Sequence, residues 1–200
     1  SMPFRIDNAL VKAAAVVQRL AEFQPAPRFH ELWPARVESL NLPPDLKAAM
    51  LDPERIDAAL DALPNVGAAA HLHACTHTTF SPNLIDGGVM KANVIPDSIT
   101  LDVDVRTLPG MTREELVADL EAFLRDAAAD EPALDAELDF EIWVDPTEID
   151  PGHELVAALR EASGVVLGDE RPVGVFPGAT DAPFFQIVAG IPTVAAFGPG

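Results

Sequence analysis

Apolar and polar residues alternate without a break from Ile99 to Arg106, with Ile99, Leu101, Val103 and Val105 on one side and Thr100, Asp102, Asp104 and Arg106 on the other. A period of two predicts a strand with one buried and one wet face. Leu138, Phe140, Ile142 and Val144 repeat the pattern and predict a second strand over residues 137–144, again with the apolar set buried. Helical spacing appears elsewhere. Leu10, Ala13, Ala14, Val17, Leu20 and Ala21 form a stripe that Asp7 can cap and that Pro25 and Pro27 end. Thr112 and Glu115 make a capping box ahead of the apolar face Leu116, Leu120, Phe123 and Leu124. Between residues 69 and 81 the β-branched Thr76, Thr78 and Thr79 suit a strand, followed by a turn at Gly87-Gly88.

From residue 7 to 145 the expected order is therefore helix, strand, strand, helix, strand. A two-layer ferredoxin-like βαββαβ sandwich lacking its first strand reads this way, which makes the fold class α+β. Residues 28–64 are punctuated by proline and read as a helical insertion, with short helices at Pro44–Leu51 and Pro53–Leu63 and with Asp45 and Asp52 near their starts. Residues 145–152 carry two prolines and a glycine, which is linker chemistry. Beyond it the pattern predicts a helix at His153–Leu167, a strand at Val173–Phe176, a helix near Asp181–Ala189 and a strand at Ile191–Phe197. Two strands cannot bury a full core, so this part reads as an incomplete α/β segment. The expected domains are 1–145, with its insertion, and 146–200.

In a βαββαβ sheet the first strand lies between the third and fourth. Its absence leaves residues 98–107 and 136–145 with unmatched backbone groups, to be filled by another chain or segment. Direct pairing of those two stretches would contradict this expectation.

Composition narrows the partners. With 200 residues and 48% apolar content, the chain can bury a core. Thirty-two acidic against thirteen basic residues give a net charge of −19, which disfavours nucleic acid and anionic membrane surfaces. No apolar run is long enough to span a membrane, and the lone Cys75 fits a reducing, cytoplasmic setting.

Among candidate residues, Arg106 ends the wet face just before the turn Leu108-Pro109-Gly110. Its planar fork either grips a carboxylate beyond the sheet or pairs with Asp102 or Asp104. Asn93, ahead of Val94-Ile95-Pro96, is either a turn residue or a donor to a carbonyl oxygen that gains charge. Gly178-Ala179-Thr180-Asp181 lies where a strand end meets a helix start, so it is either an anion-attracting loop or an ordinary turn capped by Thr180 or Asp181. His71, His73, Cys75 and His77 would share one face of an extended chain. Same-face neighbours there stand about 6.5–7 Å apart while zinc bonds are about 2.0–2.3 Å, so two of the four could meet one ion and all four could not. A wet sheet face or a subunit contact is the expectation. His30 and His153 read as solitary solvent-facing or capping residues. The acidic clusters form no acid–base pair, and neither His-x-Asp nor His-Glu-x-x-His occurs.

The stretch GGVMKANVIPDSITLDVDVRTLPG resembles the lid-domain core of the zinc metallopeptidase and amidohydrolase family that includes aminoacylase, carboxypeptidase G, acetylornithine deacetylase and succinyl-diaminopimelate desuccinylase. The opening SMPFRIDNALVKAA and the late PGATDAPFFQIVAGIPTVAAFGPG resemble two further segments of that family. The resemblance implies a hydrolase that cleaves an amide or peptide bond next to a free carboxylate, and a homodimer formed through the lid. Arg106 would hold the substrate carboxylate, Asn93 would reach substrate from the lid, and Gly178 and Thr180 would line the cleft. Two departures, Ala179 in place of a second glycine and Pro183 in place of a polar residue, obscure substrate preference. The two zinc ions of the family would be held by residues outside these 200, so the resemblance implies a fragment with no catalytic residue and no metal ligand of its own. A non-catalytic dimerisation module is the alternative.

Overall fold

In the computed structural model, which describes residues 2, 4–87, 91–170 and 172–197, regular structure is mostly helical. The elements are α1 (Ala9–Glu22), α2 (Trp33–Ser39), α3 (Pro44–Met50), α4 (Ile56–Asp61), α5 (Val66–Ala74), β1 (Thr79–Asp86), β2 (Thr100–Arg106), α6 (Arg113–Asp130) and α7 (Glu154–Leu167), with one π turn at Phe184–Val188. β1 and β2 pair as a two-stranded antiparallel sheet. No helix among the described residues is long and apolar enough to cross a membrane. Two compact units emerge: Ser1–Pro25, Thr79–Val105 and Thr112–Trp143 make the first, and Ala26–Thr78, Arg106–Met111 and Val144–Gly200 the second.

In the first unit, α1 begins at Asn8, whose side-chain oxygen accepts the Leu10 N–H at 3.0 Å. Asp7, expected to cap, instead pairs with Lys12. Lys12 also donates to the Ala133 carbonyl, and Arg19 pairs with Asp130 at the end of α6. These polar ties sit beside an aromatic cluster. The Phe23 ring, just past α1, lies 5.3 Å from Phe80 of β1 and 5.1 Å from Phe123 of α6, a spacing that favours tilted ring contacts. The expected capping box forms, with Thr112 Oγ1 accepting from the Glu115 N–H and Glu115 Oε2 accepting from the Thr112 N–H. β2 shows the predicted alternation, although its apolar face is only half-buried.

The second predicted strand does not form. Residues 137–144 form no ladder, with a bend at Glu141, and Leu138, Ile142 and Val144, expected inside, are exposed. A strand needs a hydrogen-bonded neighbour, and the sheet described offers none beyond β1 and β2. Phe140 alone of that face keeps an anchor, with the Arg113 guanidinium 4.6 Å above its ring. Accordingly, residues 98–107 and 136–145 do not pair with each other. The turn expected at Gly87-Gly88 falls at Gly88 outside the described residues.

The second unit contains the larger buried cluster, and the stretch read as an insertion supplies most of it. Trp33, Val37, Met50, Ile56, Leu60 and Leu72 from α2 to α5 pack together with Cys75. Trp33 is fully buried, and its indole N–H donates to the Met50 carbonyl at 2.8 Å, so the largest apolar side chain also satisfies a backbone acceptor. α3 and α4 appear where expected, and Asp52 holds the Glu54 N–H ahead of α4. α2 was not foreseen.

Residues 69–74, read as part of a strand, belong to the helix α5 instead. Asn65 caps it by accepting the Ala68 N–H at 3.0 Å, and Ala68, Ala69 and Ala70 favour the helix. The strand starts only at Thr79. The tail departs further, for residues 173–176 and 191–197 are not strands, and the helix expected at Asp181–Ala189 is a short turn ending in the π turn. α7 matches its prediction, capped by His153 and closed by Gly168 at φ 75°.

Burial of the Cys75 thiol pushes its pKa up to about 11, against a smaller opposing pull from Arg36. Two outcomes follow. Trp33→Ala lowers stability by about 3–5 kcal/mol in urea denaturation, whereas exposed Val66→Ala changes it by less than about 0.5 kcal/mol. At pH 8 only about one Cys75 thiol in a thousand is ionised, so the folded protein leaves Ellman's reagent largely unreacted and releases one equivalent on denaturation. Rapid stoichiometric reaction without denaturant would contradict this burial.

Candidate functional site

Two places in the second unit gather chemistry-bearing side chains. The first surrounds the turn that follows β2. The Met111 N–H donates to the Leu108 carbonyl at 3.1 Å across Pro109 and Gly110, and Gly110 sits at φ 77°. Proline then glycine with positive φ is the signature of a type II turn, so the backbone beyond Arg106 is fixed by residues that suit no other arrangement as well. Thr78 Oγ1 donates to Met111 Sδ at 3.3 Å and holds the turn from beneath. Leu108, Pro109 and Gly110 then line a cleft of about 410 Å³ together with Arg28, His30, Cys75 and Glu148.

His30 is not solitary. Its Nδ1 accepts the Leu32 N–H at 3.2 Å, which leaves the proton on Nε2, and Nε2 faces Glu148 Oε2 at 3.0 Å. His153 does act as the expected cap, accepting the Leu155 N–H at 3.1 Å. The partnership with Glu148 was out of reach of sequence reasoning, since 118 residues separate the two and no local pattern links them.

Arg106 ends β2 with an exposed side chain that makes an interaction of its own. It leads into the cleft-lining turn without being one of the lining residues. Asn93 lies exposed in a turn closed by the Val94 N–H on the Lys91 carbonyl, in the first unit. Thr180 Oγ1 accepts the Ala182 N–H at 3.2 Å, the capping role that the simpler reading of this loop allows. Gly178 is exposed, and a Cβ there would stand 2.5 Å from the Phe176 ring, so a larger residue requires that ring to move. Neither Gly178 nor Thr180 lines the cleft.

The second place is the histidine stretch, where the structure corrects the sequence. His71, His73, Cys75 and His77 do not share the face of a strand. His71 is exposed, His73 half-buried, and Cys75 and His77 are sealed in the core. Helical geometry sets His73 and His77 one above the other, with ring centroids 4.2 Å apart and planes within 5°. Asp57 of α4 faces them, its Oδ1 lying 3.2 Å from His77 Nε2. One donor atom from each of Asp57, His73 and His77 falls within 4.8 Å of the others. Burial and the neighbouring His77 lower the pKa of His73, against the opposing pull of Asp57 and Asp61.

No other group of three or more such side chains among the described residues comes this close. A bridged pair of ions needs a shared carboxylate and several further donors, which one carboxylate and two imidazoles do not supply. The resemblance implies a Glu-Glu pair among the metal ligands, and Glu114-Glu115 is such a pair in sequence, but Glu115 closes the capping box of α6. The two-metal donor set implied by the resemblance therefore does not fit the described residues.

Comparison with known proteins reaches residues of both units. The family model described as peptidase dimerisation domain matches residues 1–132. A succinyl-diaminopimelate desuccinylase of Cupriavidus taiwanensis is 31% identical over 122 residues, which is 61% of this chain and 30% of that protein. Among solved structures, an M20 family metallo-carboxypeptidase of Sulfolobus solfataricus aligns with a TM-score of 0.55 at 15% identity, covering 94% of this chain and 50% of that one. The di-peptidase Dug1p of Saccharomyces cerevisiae aligns with a TM-score of 0.52 at 14% identity, covering 94% and 41%. The chain thus spans from under a third to a half of the length of these relatives, and the two structural matches speak for the fold alone. With two thirds of its length matched by the family model, the chain belongs to the peptidase dimerisation domain family.

Proposed function

We propose that this chain is the lid, with an adjoining portion of the catalytic domain, of a metal-dependent amidohydrolase or exopeptidase that cleaves an amide or peptide bond beside a free carboxylate. The observation that carries the reading is the family match across residues 1–132. The name of the sequence relative, a desuccinylase, supports the hydrolase class, and the two structural neighbours support the fold. In this reading residues 1–145 form a ferredoxin-like lid with the helical insertion at 28–64, and residues 146–200 belong to the catalytic domain. The order α1, β1, β2, α6 is consistent with such a lid. Two zinc ions would be carried by residues outside this sequence, and the enzyme would work in the cytoplasm.

Arg106 is the residue on which recognition turns. Its guanidinium stands at an exposed strand end, just before a turn fixed by Pro109 and Gly110. Its planar fork has the shape to grip a carboxylate with two parallel hydrogen bonds. Asn93 would donate to the scissile carbonyl from the lid, and Gly178 and Thr180 would line a substrate cleft distinct from the one described above and completed by residues outside this sequence. Exposed Leu138, Ile142 and Val144 suit a lid that acquires a strand neighbour in the assembled protein, and a homodimer through the lid is the assembly proposed.

A second reading, a module that serves assembly alone, draws on the description of the matched family as a dimerisation domain. Substitution separates the two. In the active polypeptide that contains this sequence, Arg106→Ala raises KM for a carboxylate-bearing substrate about 10- to 100-fold, the worth of a charge-assisted pair. An amidated substrate is affected much less. Equal losses on both substrates, or no change on either, would remove Arg106 from recognition. Sedimentation equilibrium of this chain is expected to give twice the monomer mass of 21.3 kDa. A monomer at tens of micromolar would count against assembly through the lid.

A further inference from the structure

We propose that Asp57, His73 and His77 form a site for a single divalent ion of the zinc class, separate from any catalytic metals, clipping α4 to the C-terminal end of α5. The argument starts from the hydrogen bonds of His77. Its Nδ1 lies 3.3 Å from the His73 carbonyl oxygen, which can only accept, so Nδ1 carries a proton. Thr76 Oγ1, 2.9 Å from the same nitrogen, directs its own hydrogen to the backbone carbonyls of Leu72 and His73 and so accepts from the ring as well. In the neutral ring, the other nitrogen, Nε2, then presents a lone pair.

That lone pair is sealed from water in a side chain 1% exposed, and Nε2 has no hydrogen-bond partner among the described residues. The Asp57 carboxylate oxygen nevertheless stands 3.2 Å away. A doubly protonated ring would explain the closeness only if its N–H pointed at the oxygen, and the geometry is not that of a hydrogen bond. Two bare acceptors at this distance repel unless a cation lies between them. With a metal–nitrogen bond of about 2.05 Å and a metal–oxygen bond of about 2.1 Å, a 3.2 Å separation corresponds to a nitrogen–metal–oxygen angle of about 100°, near tetrahedral.

His73 supplies the third donor, within 4.8 Å of the other two. Its ring is stacked parallel over His77 in this structure, so it must turn about its side-chain torsions to aim a nitrogen at the same point. A half-buried ring has room to do so. A ligating histidine is held in place when its other ring nitrogen donates to a fixed acceptor, and at His77 this is already met by Thr76 and the His73 carbonyl. One carboxylate and two imidazoles match zinc in preference to magnesium or calcium, which favour sets of oxygen ligands. A fourth position remains for water.

Calorimetric titration of the purified, metal-free chain with zinc chloride tests the assignment without reference to enzymatic activity, so it can fail while the hydrolase reading stands, and the reverse. One equivalent is expected to bind, and cobalt(II) in its place gives the visible absorption of a tetrahedral ion. Because His77 is buried and its replacement endangers the fold, the decisive variants are Asp57→Asn, at an exposed position, and His73→Gln. Each weakens zinc binding by at least about tenfold, while exposed His71→Gln leaves it unchanged. The proposal is overturned by the absence of saturable binding, by affinity unaltered in both decisive variants, or by loss of affinity in His71→Gln. A one-bond coupling pattern in nitrogen-detected NMR showing a protonated His77 Nε2 in the zinc-saturated chain would overturn it equally.

Discussion

A strand borrows its hydrogen bonds from a neighbour, whereas a helix closes its own, and this asymmetry governs which parts of the chain acquire regular structure. Every long amphipathic stretch that calls for a helix has one: α1, α6 and α7 begin at residues whose side chains accept a first-turn N–H, respectively Asn8, Thr112 and His153. Of the stretches with strand character among the described residues, only β1 and β2 pair with each other. Residues 137–144 carry as clear an alternation as β2, yet they stay unpaired and turn Ile142 to solvent at 75% exposure. The difference between the two stretches lies in the availability of an adjacent edge. Sequence pattern describes a strand's faces, and nothing in it supplies the partner.

The same asymmetry explains how far the fold was legible. The capping box at Thr112 and Glu115 is complete within four residues, so its reading transferred to the structure without loss. At α5 local evidence competed: β-branched Thr76, Thr78 and Thr79 drew the expected strand forward over residues 69–75, while Asn65 and the three alanines after it argued for a helix. The helix prevailed as far as Ala74, and the threonines divide by position. Thr76 back-bonds to the carbonyls of the helix end, Thr78 reaches Met111, and only Thr79 enters a strand. Residues 28–64 were misjudged in weight more than in form. Proline marked their boundaries correctly, but punctuation conceals that Trp33, Val37, Met50 and Ile56 converge on one cluster.

Legibility of the candidate sites divides along similar lines. The turn at Leu108-Pro109-Gly110 was visible because proline and glycine each restrict the backbone in a known way. The pairing of His30 with Glu148 was not, for it depends on tertiary approach alone. The histidine stretch illustrates a third case, in which the residues were noticed and their geometry mistaken. Extended, His73 and His77 would stand about 13–14 Å apart, four residues along a strand. The helical end brings their ring centroids to 4.2 Å, and α4 contributes Asp57 from sixteen residues upstream of His73. An interval of four suits a helix as naturally as an interval of two suits a strand, and the period that the backbone adopts decides which side chains meet.

Burial of consecutive polar residues sharpens this last point. Thr76, His77 and Thr78 are all sealed inside the second unit, and an unpaired polar atom in such a place costs about 1–3 kcal/mol. The segment meets that demand almost completely. Thr76 gives its hydroxyl to the helix end and its carbonyl to the Arg28 N–H, His77 Nδ1 is bound, and Thr78 bonds to sulfur. A segment satisfied at so many points argues that the backbone is held here on purpose of packing, with little freedom to relax around a leftover group. Among the described residues, the one buried side-chain nitrogen left without a hydrogen bond, His77 Nε2, faces a carboxylate. Rigid surroundings, an open imidazole nitrogen and a nearby negative charge are together the conditions under which a protein prefers a cation to a vacant acceptor.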